Sequence, residues 1–171
     1  MFKIYYLTLI LLVTSLFTLF SSNVVFGQQE ATSSQKTTFE AFWPLTAGRT
    51  MGDPLYSLKI FKENLRGFLV FGSPQKADYA VFIGTKRVLE ADKLISDGNK
   101  DLADKTLEKA AEQFDIAARN INDAKSNKRS LGNVEYTIKP RLENLIILMS
   151  NIQTNKAGTV LQKIKDLKGS I

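Results

Sequence analysis

Neither cysteine nor histidine occurs anywhere in the 171 residues. Without cysteine there is no disulfide, no thiolate nucleophile and no thiolate metal ligand. Without histidine the chain lacks the side chain best suited to proton transfer near neutral pH, and the imidazole that most zinc sites use. These two absences exclude most hydrolase and metalloenzyme designs. Carboxylates, lysines and hydroxyls remain, but Ser57, Ser73, Tyr56 and Tyr79 have no histidine to activate them and no Ser–Lys pair stands out. Charge of one sign is also scarce in any single stretch: 23 Lys and Arg are mixed with 17 Asp and Glu, and no basic run interleaves with aromatics as a nucleic-acid platform would require. No catalytic, cofactor-binding or metal residue is assigned, and a non-enzymatic protein is expected.

What is present argues for folding. Hydrophobic residues make up 44% and charged residues 23%, and ten glycines with four prolines do not suggest wholesale disorder. The length suits one domain with one core.

The long apolar run sits at the N-terminus. Met1-Phe2-Lys3 supplies one positive charge, Ile4 to Phe20 is largely apolar, and small and polar residues follow up to Gly27. That is the layout of a secretory signal, with a cut after Gly27 leaving Val25 and Gly27 at the small-residue positions. An uncleaved membrane anchor over residues 4–26 is the alternative, since that run is nearly long enough to span a bilayer. Either way the body of the protein is expected outside the cytoplasm. Cleavage would remove one base and no acid, leaving the mature chain at +5, a mild attraction to anionic lipid, wall polymer or acidic partners.

Residues 28–38 read as a polar, disordered spacer, and residues 39–171 as a single helical domain. Phe39, Phe42 and Trp43 crowd together ahead of Pro44, which discourages helix at Trp43; an extended aromatic arm laid across helices is expected. Its functional alternative is a patch for a partner, with Phe42, Trp43 and Tyr56 as the candidate interaction surface. Residues 54–71 then place Leu55, Leu58, Phe61, Leu65, Phe68 and Leu69 at steps of three and four. The spacing predicts a helix whose buried face begins at Leu55 and Leu58, with Lys59, Lys62, Glu63 and Arg66 as its solvated side. Asp53 and Pro54 are read as its cap and first position, and Ser73 and Pro74 as those of the next helix. Tyr56 has no part in the cap and is left to tie down the arm.

The second helix carries Ala77, Ala80, Val81, Gly84, Val88, Ala91, Leu94 and Ile95 on one face and should end at Gly98. A third, over residues 100–126, has a heptad-like seam of Ala103, Leu107, Ala110, Phe114, Ala117, Ile121 and Ala124 that permits close antiparallel approach. Residues 97–108 mimic a calcium loop through Asp97, Asn99, Asp101 and Glu108, but Leu102 stands where the loop needs glycine, so a capped turn is preferred. Gly67 to Ser73 has the glycine spacing of a phosphate loop without its lysine, and is rejected. After a loop over residues 127–133, a helical pattern from Val134 to Ile152 is interrupted by Pro140, where a kink or break is expected. A last helix covers residues 157–168. The fold class is all-α, a bundle of four or five helices with an extended N-terminal aromatic arm.

Four blocks carry a resemblance: Pro44-Leu45-x-x-Gly48, Gly52-Asp53-Pro54-Leu55-Tyr56-x-Leu58-Lys59-x-x-Lys62-Glu63, Arg87-x-Leu89-Glu90-Ala91, and Leu142-Glu143-x-x-x-x-Leu148. Together they resemble a bacterial family of exported helical domains classed as a domain of unknown function. The resemblance implies a domain that follows a signal peptide or single anchor, at times in membrane proteins of the anti-sigma-factor type, with no activity assigned. Relatives often have a histidine ahead of the C-terminal leucine, and this chain has none. The expected role is an interaction or structural module of the cell envelope that binds an envelope protein. The alternatives are a module for anionic lipid or wall polymer, and the sensor domain of a regulatory membrane protein. No cofactor, metal or nucleic acid is expected.

Overall fold

A computed structural model of the chain describes Phe42 and residues 44–171. The signal or anchor, the spacer, Phe39 and Trp43 lie outside the described residues. Five helices follow one another: α1 Tyr56–Phe68, α2 Ser73–Ser96, α3 Lys100–Ser126, α4 Asn133–Asn151 and α5 Ala157–Gly169. No strand occurs among the described residues, and the all-α bundle is the architecture found.

Helices α2 to α5 form the bundle. α2 packs on α3 and α4, α5 packs on the same two, and α2 and α5 therefore lie diagonally opposite. The alanine-rich seam accounts for the closeness of α2 and α3: Ala103, Leu107, Ala110, Phe114, Ala117, Ile121 and Ala124 are all buried. Gly84 faces Phe114 so closely that a Cβ on it would stand 2.8 Å from the ring. The absent side chain is the space the phenyl group fills.

The α2–α3 turn is closed by backbone geometry. Gly98 takes φ +81°, its N–H bonds the carbonyl of Ile95 at 2.9 Å, and Asn99 N–H bonds that of Leu94 at 2.8 Å. This paired arrangement satisfies the carbonyls that a helix end leaves free, and it requires a residue that accepts positive φ. Helix α4 runs through Pro140 as one helix, so the expected break does not occur. The carbonyl one turn back belongs to Tyr136, an exposed residue, so the bond that proline cannot donate is missing on the solvent side of the helix.

Two helix starts differ from expectation. Gly72, at φ +88°, takes the cap position of α2, and its carbonyl accepts from Lys76 N–H at 2.9 Å. Ser73 is the first helical residue and Pro74 the second; the Ser73 hydroxyl is spent on Asp123 of α3. In α1 the cap position is Leu55, with Pro54 in the turn before it. Asp53 Oδ1 still accepts from Leu55 N–H at 2.8 Å, and its carboxylate takes both oxygens to Arg49 at 3.0 Å. The Leu55 amide first, then Arg49, holds the Asp53 carboxyl below its ordinary range against the opposing effect of burial.

Helix α1 overturns the largest expectation of the sequence. Its apolar face points away from the bundle: Leu55, Leu58, Phe61, Leu65, Phe68 and Leu69 are exposed, with Leu58 at 61% and Phe68 at 79%. Of the side read as solvated, Lys59 and Glu63 face inward while Lys62 and Arg66 stay exposed, and Glu63 is the only buried residue of the helix. Among the described helices α1 touches α2 alone, and sparsely.

Candidate functional site

The inward side of α1 presents Tyr56, Lys59 and Glu63 at steps of three and four, so one helical face delivers a hydroxyl, a cation and a carboxylate to α2. α2 answers with Lys86, Arg87 and Glu90. Arg87 ties the two carboxylates together, one guanidinium nitrogen on Glu63 and the other on Glu90. Lys59 reaches Glu90, and Lys86 reaches Glu63 at 2.5 Å. Tyr56 donates its hydroxyl to Glu90 Oε2 at 3.3 Å, and Tyr79 donates to the Glu63 carbonyl at 2.6 Å.

The same lysine fastens the segment before α1. Lys59 Nζ donates to the carbonyls of Ala47 at 2.9 Å and Arg49 at 2.6 Å. Leu45, Ala47 and Met51 then lie against the core, and Phe42 is buried within it. A single ammonium therefore joins the arm, α1 and α2, using the three donors that lysine possesses.

Glu90 has 0% of its surface exposed, as deep as the bundle's leucines, and Arg87 has 5%. Ions at that depth are tolerated only because each is paired and hydrogen-bonded. Burial works to lower the Arg87 pKa, but Glu90 and Glu63 outweigh it and hold the guanidinium more firmly protonated than usual. Burial works to raise Glu63, and the cations Lys86 and Arg87 outweigh it, leaving the carboxyl below its ordinary value. Lys59 is shifted down, because burial exceeds the help it receives from Glu90. Tyr56 is pushed up to about 12 by burial and then by the Glu90 charge.

Rings flank the cluster. Lys59 and Arg87 each stand 5.7 Å from the centre of the Tyr56 ring, and Arg66 lies 5.6 Å from that of Phe82 on α2. Beside the cluster, α1, α2 and α3 enclose an open cleft of about 590 Å³ whose walls include Ile60, Val70, Ile83 and Ile116, with Glu63 and Arg87 at its edge. Those two charges neutralise each other, and Tyr56 and Tyr79 are both held protonated well past neutrality. The ion pairs and hydrogen bonds of the cluster join α1 to α2. Among the described residues no group of His, Cys, Asp and Glu is placed to hold a metal ion.

Of the residues singled out for interaction, the two that are described do not present an open surface. Phe42 is 6% exposed inside the core, and Tyr56 is half-buried and turned towards Glu90; Trp43 lies outside the described residues. The exposed apolar surface is elsewhere, on the face of α1 assigned to the core. Its residues were visible in the sequence, but periodicity marks two opposite faces without saying which one meets the bundle. The signal that distinguishes them is charge balance: Lys59 and Glu63 on α1 have complementary partners in Arg87 and Glu90, 24 to 31 positions later. The second and third blocks of the sequence resemblance thus meet in space.

Residues 48–167 match the family described as "Domain of unknown function (DUF5667)". Comparison with curated proteins and with solved structures returns no match.

Proposed function

Since the chain belongs to that family of domains with no assigned function, we propose that it is a non-enzymatic extracytoplasmic interaction module of the bacterial cell envelope, with the outward face of α1 as its docking surface. The observation that carries this reading is the inside-out setting of α1. Seven large apolar side chains, from Leu55 to Phe71, are exposed along α1 and just beyond its end. From their exposures they offer on the order of 800 Å², one partner's share of a standard interface and more than a monomer ordinarily leaves in one patch. Each such side chain would contribute about 1.5–3 kcal/mol if buried. Turning α1 over would gain part of that, but it would take Lys59 and Tyr56 from Glu90 and Glu63 from Arg87, so the ion cluster keeps the apolar face presented.

The apolar run over residues 4–26 supports export or anchoring, and an uncleaved anchor would tether the domain to a membrane. The lack of histidine and cysteine, and a charge cluster consumed by internal pairing, support a binding role over catalysis. No helix among the described residues is long and apolar enough to cross a membrane.

A photocrosslinking residue at Leu65 in intact cells tests the reading, with one at exposed Lys165 on α5, diagonally across the bundle, as control. Adducts at position 65 and none at 165 are expected. Position 65 reacting only with water would refute the docking face.

A further inference from the structure

We infer that the occupant of the α1 face is an anionic phospholipid surface, with α1 lying in the plane of the headgroups; this rests on the docking-face reading above and names its partner. Three features of the structure converge on it.

The first is the shape and composition of the face. Helix α1 is amphipathic, and its outer side is dominated by leucine and phenylalanine, with exposed Ser57, Lys62 and Asn64 at the margins. Phe68 and Phe71 are the most exposed of these, at 79% and 76%, and stand at the end of the helix where aromatic side chains suit the headgroup boundary.

The second is charge. Between Asp53 and Asp78 the only acid is Glu63, and it faces inward, paired with Lys86 and Arg87. The solvent-facing charges of that stretch are therefore all positive: Lys62, Arg66 and Lys76 are exposed. Lys62 and Arg66 lie one turn apart at one edge of the apolar face, where they would meet lipid phosphates as the leucines enter the acyl boundary. This distribution disfavours a second copy as occupant, since pairing two such faces would bring cations together with no carboxylate at the rim to meet them.

The third is the segment that precedes the domain. The polar text of residues 28–38 has no apolar side chain larger than alanine and cannot cover the face. Counted from the end of the apolar run at Phe26, about fifteen residues separate it from Phe42, a span of at most ~50 Å when extended. If residues 4–26 stay in the bilayer, α1 is held within reach of the lipid surface.

The test uses the full chain, which has no cysteine and so accepts one by substitution without competition. Leu65→Cys and, separately, Lys165→Cys are labelled with an environment-sensitive dye and added to vesicles of phosphatidylcholine with phosphatidylglycerol, some carrying a nitroxide-labelled lipid. Depth of the dye is the readout, because an uncleaved anchor would hold the chain on any vesicle. The expected result is a blue shift and strong nitroxide quenching at position 65 and neither at position 165. The signal should weaken in pure phosphatidylcholine and fall about tenfold or more with Lys62→Glu and Arg66→Glu together. Circular dichroism matching the parent chain excludes unfolding as the cause.

Shielding of the dye without nitroxide quenching, accompanied by dimer in sedimentation, would overturn the lipid inference in favour of a second copy and leave the docking face standing. Nitroxide quenching at position 65 that survives Leu58→Ser with Phe61→Ser would show that the apolar side chains do not carry the insertion, and would overturn it too. A dye that stays in water on anionic vesicles overturns the inference; if Leu65 also gives no adduct in cells, the docking-face reading falls with it.

Discussion

Replacing Glu90 by Gln is the sharpest test of what holds α1 in place. Gln keeps the volume and some hydrogen bonding of Glu90, but it removes the one charge that both Lys59 and Arg87 share at a site with 0% exposure. Arg87 would keep Glu63, and Lys59 would keep the carbonyls of Ala47 and Arg49, so the loss belongs at the lower end of the range for breaking a buried ion pair, about 3 kcal/mol. The bundle core does not depend on this cluster. Because α1 touches only α2, the expected response is that α1 lifts away and its ions hydrate, while α2 to α5 stay folded. A free helix of thirteen residues is marginal in water, so α1 should also melt. Hydrogen exchange read by mass spectrometry should show the α1 amides opening roughly a hundredfold more, the equivalent of ~3 kcal/mol, with the α2–α3 seam unchanged. A second variant checks the cause. Lys59→Met, Arg87→Met and Glu90→Leu together replace the shared ions by apolar groups of similar size and should restore protection to the parent level or above. Exchange in α1 that changes less than about twofold in Glu90→Gln would refute this role of the cluster, since a buried pair that can be broken without cost is not holding the helix.

Acid should release the same helix. The Glu63 pKa lies below its ordinary 4.5 because Lys86 and Arg87 outweigh the effect of burial, so its stabilisation is complete above that pH and is lost as pH falls through the lower folded value. A dye at Leu65 should report α1 mobility appearing below pH 4.5 while far-UV helicity of the bundle persists, and Glu63→Gln should abolish the step; a bundle that melts at the same pH would contradict it. Where α2 meets α3, Gly84→Ala places a methyl group 2.8 Å from Phe114 Cε1 and should lower stability by about 1–3 kcal/mol in urea titration, with an unchanged midpoint as the disproof.

The bundle was legible because its signals are local and mutually consistent. Seven seam residues of α3 keep a strict register and are all buried, and Gly98 ends α2 in the conformation that only glycine takes easily. Helix bounds agree within a residue for α3 and α5, where the apolar spacing is regular from end to end. Departures came where two local descriptions compete. Gly72 and Ser73 are both acceptable caps, and the choice went to the glycine because the chain needs positive φ there and Asp123 attracts the serine hydroxyl. Pro140 need not break α4, because the missing bond lies on the solvent side of the helix.

The candidate site was illegible for a different reason. Lys59, Lys62, Glu63, Leu58 and Leu65 were read as two faces of one helix, while Tyr56 was left to tie down the arm, and amphipathic spacing says only that the faces are opposite. By itself the sequence determined the helices, their order, the seam between α2 and α3, and the poverty of catalytic groups, since each follows from spacing and composition along the chain. Only the tertiary structure decided which side of α1 meets α2. That choice depends on Arg87 and Glu90, buried residues far along the chain that pair with Glu63 and Lys59 as well as with each other, and the apolar face was left outward as the consequence.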